Sequence, residues 1–258
     1  DYNRAGTPLI EIVTEPDIRS SDEAFAFVSE IRKLVRYLEV CDGNMEEGSL
    51  RCDANISVRI KGETKLGTRV EVKNLNSIRN VKRAIDVEAK RLIEIIEAGG
   101  TIQQQTRSFD ANTGTTQAIR DKEDADDYRY FPEPDLTPFH LQDEFIEKIR
   151  RSIPVLPEER IEKYTTKLKL SDYDASVLTE ERVVSDYFEQ IILHTTNYKA
   201  AANWMLGPVK SWMNENGKEI TEFPLKPEQL VSLITLIDEG KVNFSSASTK
   251  IFPALLAN

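Results

Sequence analysis

Between residues 52 and 73 the sequence alternates with a period of two, and no other stretch constrains the fold as much. Cys52, Ala54, Ile56, Val58 and Ile60 fall on one side, and Asp53, Asn55, Ser57 and Arg59 on the other. A connection from Lys61 to Gly67 leads to a second run, in which Val70 and Val72 are apolar while Arg69, Glu71 and Lys73 are polar. Two such runs predict an antiparallel pair with one buried face and one charged face.

The neighbouring stretches fit a mixed fold. Residues 8–14 are β-branched and apolar with Glu11 in the middle, which predicts a strand ended by Glu15-Pro16-Asp17. Ser20 and Glu23 form a capping box ahead of a helix whose stripe is Ala24, Phe27, Val28, Ile31, Leu34, Val35 and Leu38. A second helix carries Ile78, Val81, Ile85, Leu92 and Ile96 and stops at Gly99-Gly100. Residues 104–120 read as a hairpin turning around Asp110 to Gly114, and the proline-rich stretch 131–138 cannot be helical. Beyond residue 140 the alternation disappears. Helical stripes recur at 143–152, 157–169, 174–193, 197–216 and 227–239, separated by short breakers. The expected fold class is α+β, with a sheet-containing domain over 1–154 and a small all-α domain over 155–258.

Composition removes several function classes. The 258 residues carry 34 Lys and Arg against 44 Asp and Glu, a net charge of −10, which argues against a uniformly basic nucleic-acid-coating protein. No apolar run approaches the length of a membrane-spanning helix. Cys41 and Cys52 lack metal-type spacing and make no disulfide framework, so a reducing, cytoplasmic setting is expected. With His140 and His194 as the only histidines, chemistry built on several histidines is excluded within this chain. The opening Asp1-Tyr2-Asn3-Arg4 is neither a Met start nor a signal peptide and reads as the interior of a longer protein.

Three carboxylates stand where folding alone would not put them. Glu11 interrupts an apolar run, and Asp53 and Glu71 share the polar side of the alternating pair, about two pairs apart. Converging acids repel one another, and a hard cation such as Mg²⁺, which takes oxygen ligands, relieves that repulsion. A solvated sheet face with neutralised charges accounts for the same pattern. Arg51, Arg59, Arg69 and Lys73 lie beside the acids, either to bind phosphate oxygens or to neutralise carboxylates across strands. Gly48-Ser49-Leu50-Arg51 is not a phosphate-cradling P-loop, since it lacks the glycine spacing and the Lys-Ser/Thr ending. Tyr128, Tyr130 and Phe131 beside Arg129 fit either an RNA-stacking cluster or an aromatic clamp into the core. Trp204 and Trp212 read as core, and His194 as a surface residue.

Four motifs in order carry a family resemblance. They are residues 1–17, ending Thr14-Glu15-Pro16-Asp17; Glu47 to Asn55, through Arg51-Cys52-Asp53; Val70-Glu71-Val72-Lys73-Asn74-Leu75-Asn76-Ser77; and Asp127 to Leu136. With Leu156-Pro157-Glu158, Asn203-Trp204 and Asp238 to Lys241, the chain resembles, over its whole length, the B subunit of the aspartyl/glutamyl-tRNA amidotransferases. The resemblance implies an antiparallel-sheet catalytic domain of the glutamine synthetase/guanido kinase type, then a helical domain leading to a tRNA-binding tail domain beyond this chain. It implies that an N-terminal segment contributing a Glu and a His to the metal site lies outside the chain too. The implied activity is ATP-dependent conversion of Glu-tRNA(Gln), and often Asp-tRNA(Asn), to the amide, with ammonia from glutamine. The implied cofactor is Mg²⁺, and ATP is a substrate. Glu11, Asp53 and Glu71 are the implied metal ligands and catalytic acids, and Arg51, Lys73 and Ser49 the implied phosphate or substrate contacts. The implied partners are an amidase-type A subunit, a small C subunit, tRNA(Gln) and tRNA(Asn), with no membrane. A non-catalytic tRNA-docking scaffold is the alternative, and the concentration of acids counts against it.

Overall fold

The structure is a computed structural model that describes residues 6–121 and 137–257. It forms two compact units, one comprising Asp1–Arg32 and Cys41–Pro134, the other Lys33–Val40 and Asp135–Asn258. The aromatic cluster at 128–131 and most of the motif at 127–136 lie outside the described residues.

The first unit is built on a four-stranded sheet in the order β1-β2-β3-β4, with β1 at Ala54–Ile56, β2 at Val70–Lys73, β3 at Gln105–Asp110 and β4 at Thr115–Asp121. β1 and β2 pair antiparallel, Ala54 opposite Val72 and Ile56 opposite Val70, in the expected alternation. The ladder is shorter than the alternating run. Past Ile56 the chain leaves it, and Arg59 Nη1 donates to the Thr64 carbonyl within the connection at 2.8 Å. There the backbone passes so close to itself that a Cβ on Gly67 would lie 2.0 Å from the Val58 carbonyl oxygen, so only glycine fits.

Residues 8–14 do not form a strand. Leu9, Ile10, Ile12 and Val13 lie exposed and outside any helix or strand, without a ladder partner among the described residues. β-propensity is local, but a strand exists only through its neighbours. Beyond it, helix α1 spans Ser21–Tyr37, with the Ser20 hydroxyl accepting from the Glu23 N–H at 3.1 Å. The reciprocal carboxylate bond goes to the Arg19 N–H rather than to Ser20.

The sheet is not purely antiparallel. β2 and β3 run parallel, Glu71 beside Thr106 and Lys73 beside Ser108. The reason is the 20-residue helix between them, α2 at Ile78–Glu97, which returns the chain over about 30 Å to start the next strand in the same direction. Asn74 makes the turn out of β2 with a left-handed φ of 66° and donates through Nδ2 to the Phe109 carbonyl at 3.2 Å. Ser77 then caps α2 by accepting from the Asn80 backbone N–H at 3.1 Å. The β3–β4 hairpin forms where expected, with Asp110 Oδ1 accepting from the Asn112 N–H at 2.8 Å and Gly114 in the left-handed region.

Val28, Ala54, Ile56, Val70, Val72, Leu75, Val81, Ala84, Leu92, Ile102 and Phe109 form the core between sheet and helices. The buried stripe of α2 contains one acid, Glu88, which is fully buried. Its oxygens accept from Arg91 Nε at 3.1 Å and from the Thr116 hydroxyl at 2.6 Å, and Arg107 Nε of β3 lies 3.5 Å away.

The second unit is helical and has its own core around Tyr164, Leu178, Phe188, Ile191, Trp204, Leu230, Ile234 and Phe252. Helices α3 at Asp143–Ser152 and α4 at Pro157–Thr166 stand close to the expected ranges. The stripe at 174–193 is two helices, α5 at Asp172–Leu178 and α6 at Arg182–Ile192. Buried hydroxyls make the break: Thr179 Oγ1 donates to the Ala175 carbonyl and Ser185 Oγ to the Leu178 carbonyl, each at 2.9 Å. The stripe at 197–216 divides into α7 at Tyr198–Trp204 and α8 at Lys210–Asn216 around a π turn at Met205–Val209. Pro208 inside that turn has no N–H to give to a regular helix. Helix α9 at Pro227–Asp238 again matches its stripe, and the chain continues through α10 at Phe244–Ser246 and α11 at Phe252–Leu256. Trp204 is buried, Trp212 half-buried and His194 exposed, as expected. Among the described residues no helix is long and apolar enough to cross a membrane.

Replacing Glu88 by Gln leaves Arg91 and Arg107 without a carboxylate in a buried setting. Denaturant unfolding of Glu88→Gln is expected to show a loss of about 3 kcal/mol. Unchanged stability would show that the α2 acid does not hold helix and hairpin together.

Candidate site on the polar sheet face

In a strand pair, side chains two residues apart share a face, so the β1–β2 register decides what meets Asp53 and Glu71. Asn55 lies opposite Glu71, and Ala54 opposite Val72 points into the core. Asp53 and Glu71 therefore come together diagonally on the other face, with Lys73 between them. Lys73 Nζ donates to Asp53 Oδ2 at 2.6 Å and lies 3.1 Å from Glu71 Oε1. The other Glu71 oxygen accepts from the Thr106 hydroxyl at 2.9 Å, a contact supplied by the parallel pairing of β2 with β3. The Asp53 side chain is 47% exposed and that of Glu71 15%, so the group opens on the Asp53 side. The Asp53 carboxylate, and then that of Glu71, raise the Lys73 ammonium above the ordinary lysine pKa, against the opposing effect of partial burial.

The other expected residues are placed differently. Glu11 is exposed in the segment that precedes α1, so the burial penalty that mid-strand placement would have imposed does not arise. It is not brought to the other two acids: among the described residues no three His, Cys, Asp or Glu side chains stand close enough to hold one metal ion. Arg51 and Ser49 belong to the loop entering β1, where both are exposed. That loop is pinned by the Asn44 carbonyl, which accepts from the Ser49 N–H at 2.9 Å, and by Arg32 Nε, which donates to the Gly43 carbonyl at 2.9 Å. Thr106 was not anticipated, because its place beside Glu71 depends on strand pairing across 35 residues of sequence.

As a donor set the pair fits a hard divalent cation in part. Two carboxylates already converge on one positive centre with oxygen atoms, the ligand type that Mg²⁺ takes. The third expected acid is elsewhere. In the second unit, a groove of about 630 Å³ lined by Tyr173, Asn203, Lys210 and Phe244 contains none of these residues.

Comparison with known proteins settles the family. Residues 1–147 match the GatB/GatE catalytic domain and residues 186–258 match the GatB domain. The chain belongs to the GatB/GatE family. Its relatives include the aspartyl/glutamyl-tRNA(Asn/Gln) amidotransferase B subunit of Geobacter sulfurreducens, 52% identical over 249 residues, covering 96% of this chain and 52% of the relative. The corresponding protein of Trichlorobacter lovleyi is 49% identical over 258 residues, covering 100% of this chain and 54% of the relative. That of Pseudomonas fluorescens is 49% identical over 255 residues, covering 99% and 53%. This GatB/GatE chain thus spans about half the length of the curated relatives it matches. The acid pair, Lys73 and Thr106 all lie within the residues matched to the catalytic domain.

Cys52 sits beside Asp53. Burial, and then the Asp53 charge, push its thiol up to about 11. At neutral pH it is a protonated thiol and a poor nucleophile. In Cys41→Ser, where Cys52 is the sole cysteine, its alkylation by iodoacetamide is expected to quicken about tenfold per pH unit from pH 8 to 10. A plateau near pH 9 would contradict the assigned environment.

Proposed function

We propose that this chain is the carboxylate-activating part of the B subunit of a tRNA-dependent amidotransferase. In that role it acts in the cytoplasm with an amidase-type A subunit, a small C subunit and a mischarged tRNA. The observation that carries it is the convergence of Asp53 and Glu71 on one cationic position, on the open face of a GatB/GatE catalytic domain. The relatives are B subunits of aspartyl/glutamyl-tRNA(Asn/Gln) amidotransferases, which supports the substrate class.

The chemistry follows from the weakness of a carboxylate as an electrophile. The side-chain carboxylate of the tRNA-borne Glu or Asp attacks the γ-phosphorus of ATP, ADP leaves, and an acyl phosphate forms. Ammonia then attacks the acyl carbon and phosphate leaves, giving the amide. Positioning and charge neutralisation dominate phosphoryl transfer. Asp53 and Glu71 would hold Mg²⁺, with Glu11 joining them on the strength of the family resemblance rather than of geometry. The bound cation would supply charge neutralisation at the phosphate oxygens. The Thr106 hydroxyl fixes the Glu71 carboxylate, while Arg51 and Ser49, at the entry to β1, would meet phosphate oxygens.

The test is made in the complete enzyme with its partners. Asp53→Asn, Glu71→Gln and Glu11→Gln each keep shape and remove charge. Each is expected to lower ATP-dependent amide formation by about a hundredfold or more, since even indirect changes around a metal cost ~10–100-fold. Glutamine hydrolysis and melting temperature should change little. A variant that keeps near-normal amidation removes its residue from the site. If all three keep it, the acids are a neutralised sheet face and the reading fails.

A further inference from the structure

The Lys73 ammonium occupies the position between Asp53 and Glu71 that a bound cation would take. It is 2.6 Å from one carboxylate and 3.1 Å from the other. Two like charges brought together by a fixed strand register need a counter-charge whenever no ion is present, or they would push β1 and β2 apart. Lys73 belongs to β2 itself, two residues after Glu71, so its stem rises from the same face and its head folds back over the pair. The side chain is 39% exposed, so the ammonium can leave for solvent without breaking the core.

We propose that Lys73 is a built-in placeholder cation. It holds the acid pair together in the ion-free protein, and a hard divalent cation must displace its ammonium to bind there. This rests on the reading of Asp53 and Glu71 as a cation site, and it assigns Lys73 a positioning role that sets the affinity and charge selectivity of that site. Thr106 keeps Glu71 oriented during the exchange, because its hydroxyl donates to Oε2 while the Lys73 contact is to Oε1. A monovalent ion only replaces one unit charge by another, so the exchange favours a divalent ion.

The experiment measures Mn²⁺ binding, as a probe for a hard divalent cation, to the complete protein in its assembled complex without nucleotide. Binding is followed by paramagnetic resonance of free Mn²⁺ and by the Mn²⁺-induced shift in melting temperature. Asp53→Asn identifies which part of the signal belongs to the site. Lys73→Met removes the charge and keeps the length. It is expected to bind Mn²⁺ about tenfold tighter than the wild type and to show a larger Mn²⁺-induced melting shift, having a lower melting temperature without metal. Lys73→Gln, which keeps a hydrogen-bond donor near the acids, carries the same expectation should the methionine variant not fold. Mn²⁺ bound at this site by the wild type, with equal or weaker binding by the Lys73 variants, overturns the placeholder role and leaves the cation site standing. Binding by the variants alone supports the role in its strongest form. No Mn²⁺ signal sensitive to Asp53→Asn in any of them overturns the cation site itself.

Discussion

The Glu88 carboxylate is the constraint on which the first unit depends. It is fully buried on α2, yet it reaches Thr116 of β4 and stands beside Arg107 of β3, while Arg91 of its own helix covers its solvent side. A buried carboxylate with fewer partners would be costly, so helix and hairpin are fixed in one relative arrangement. That arrangement lays β3 parallel to β2 and puts Thr106 beside Glu71. The polar face is thus set by a charge on the opposite, helix-covered face.

The two faces of this sheet divide the labour sharply. One carries Ala54, Ile56, Val70, Val72 and Phe109 against the helices. The other gathers Asp53, Glu71, Lys73 and Thr106 through contacts of about hydrogen-bond length. The period of two makes this separation unavoidable, since moving any of these strands by one residue would exchange core for chemistry. A sheet of this kind can vary its polar side chains with little effect on packing, which is why such a surface suits a site.

That division was legible in the sequence, because alternation over 52–73 puts Asp53 and Glu71 on one side whatever the rest of the fold does. The change to helical spacing after residue 140 was legible for the same reason. Three features were not. The parallel pairing of β2 with β3 is set across the length of α2, so Thr106 carried no local signal. Glu88 lies seven residues after Val81 and four before Leu92, on the apolar stripe, and only burial reveals what an acid does there. The segment around Glu11 has every local mark of a strand, and local preference cannot create the neighbour that a ladder needs. The breaks inside the long helical stripes came from hydroxyls and a proline whose effect depends on what surrounds them, as at Thr179 and Pro208.

The segment around Glu11 has a practical bearing as well. Leu9, Ile10, Ile12 and Val13 present contiguous apolar, strand-prone side chains to solvent, with Glu11 as the one charge among them. Segments of this composition pair readily with copies of themselves when their backbone groups are free. In this chain taken alone, these few residues favour association, and the net charge of −10 opposes it. Association of this kind depends on two copies meeting, so it grows with concentration.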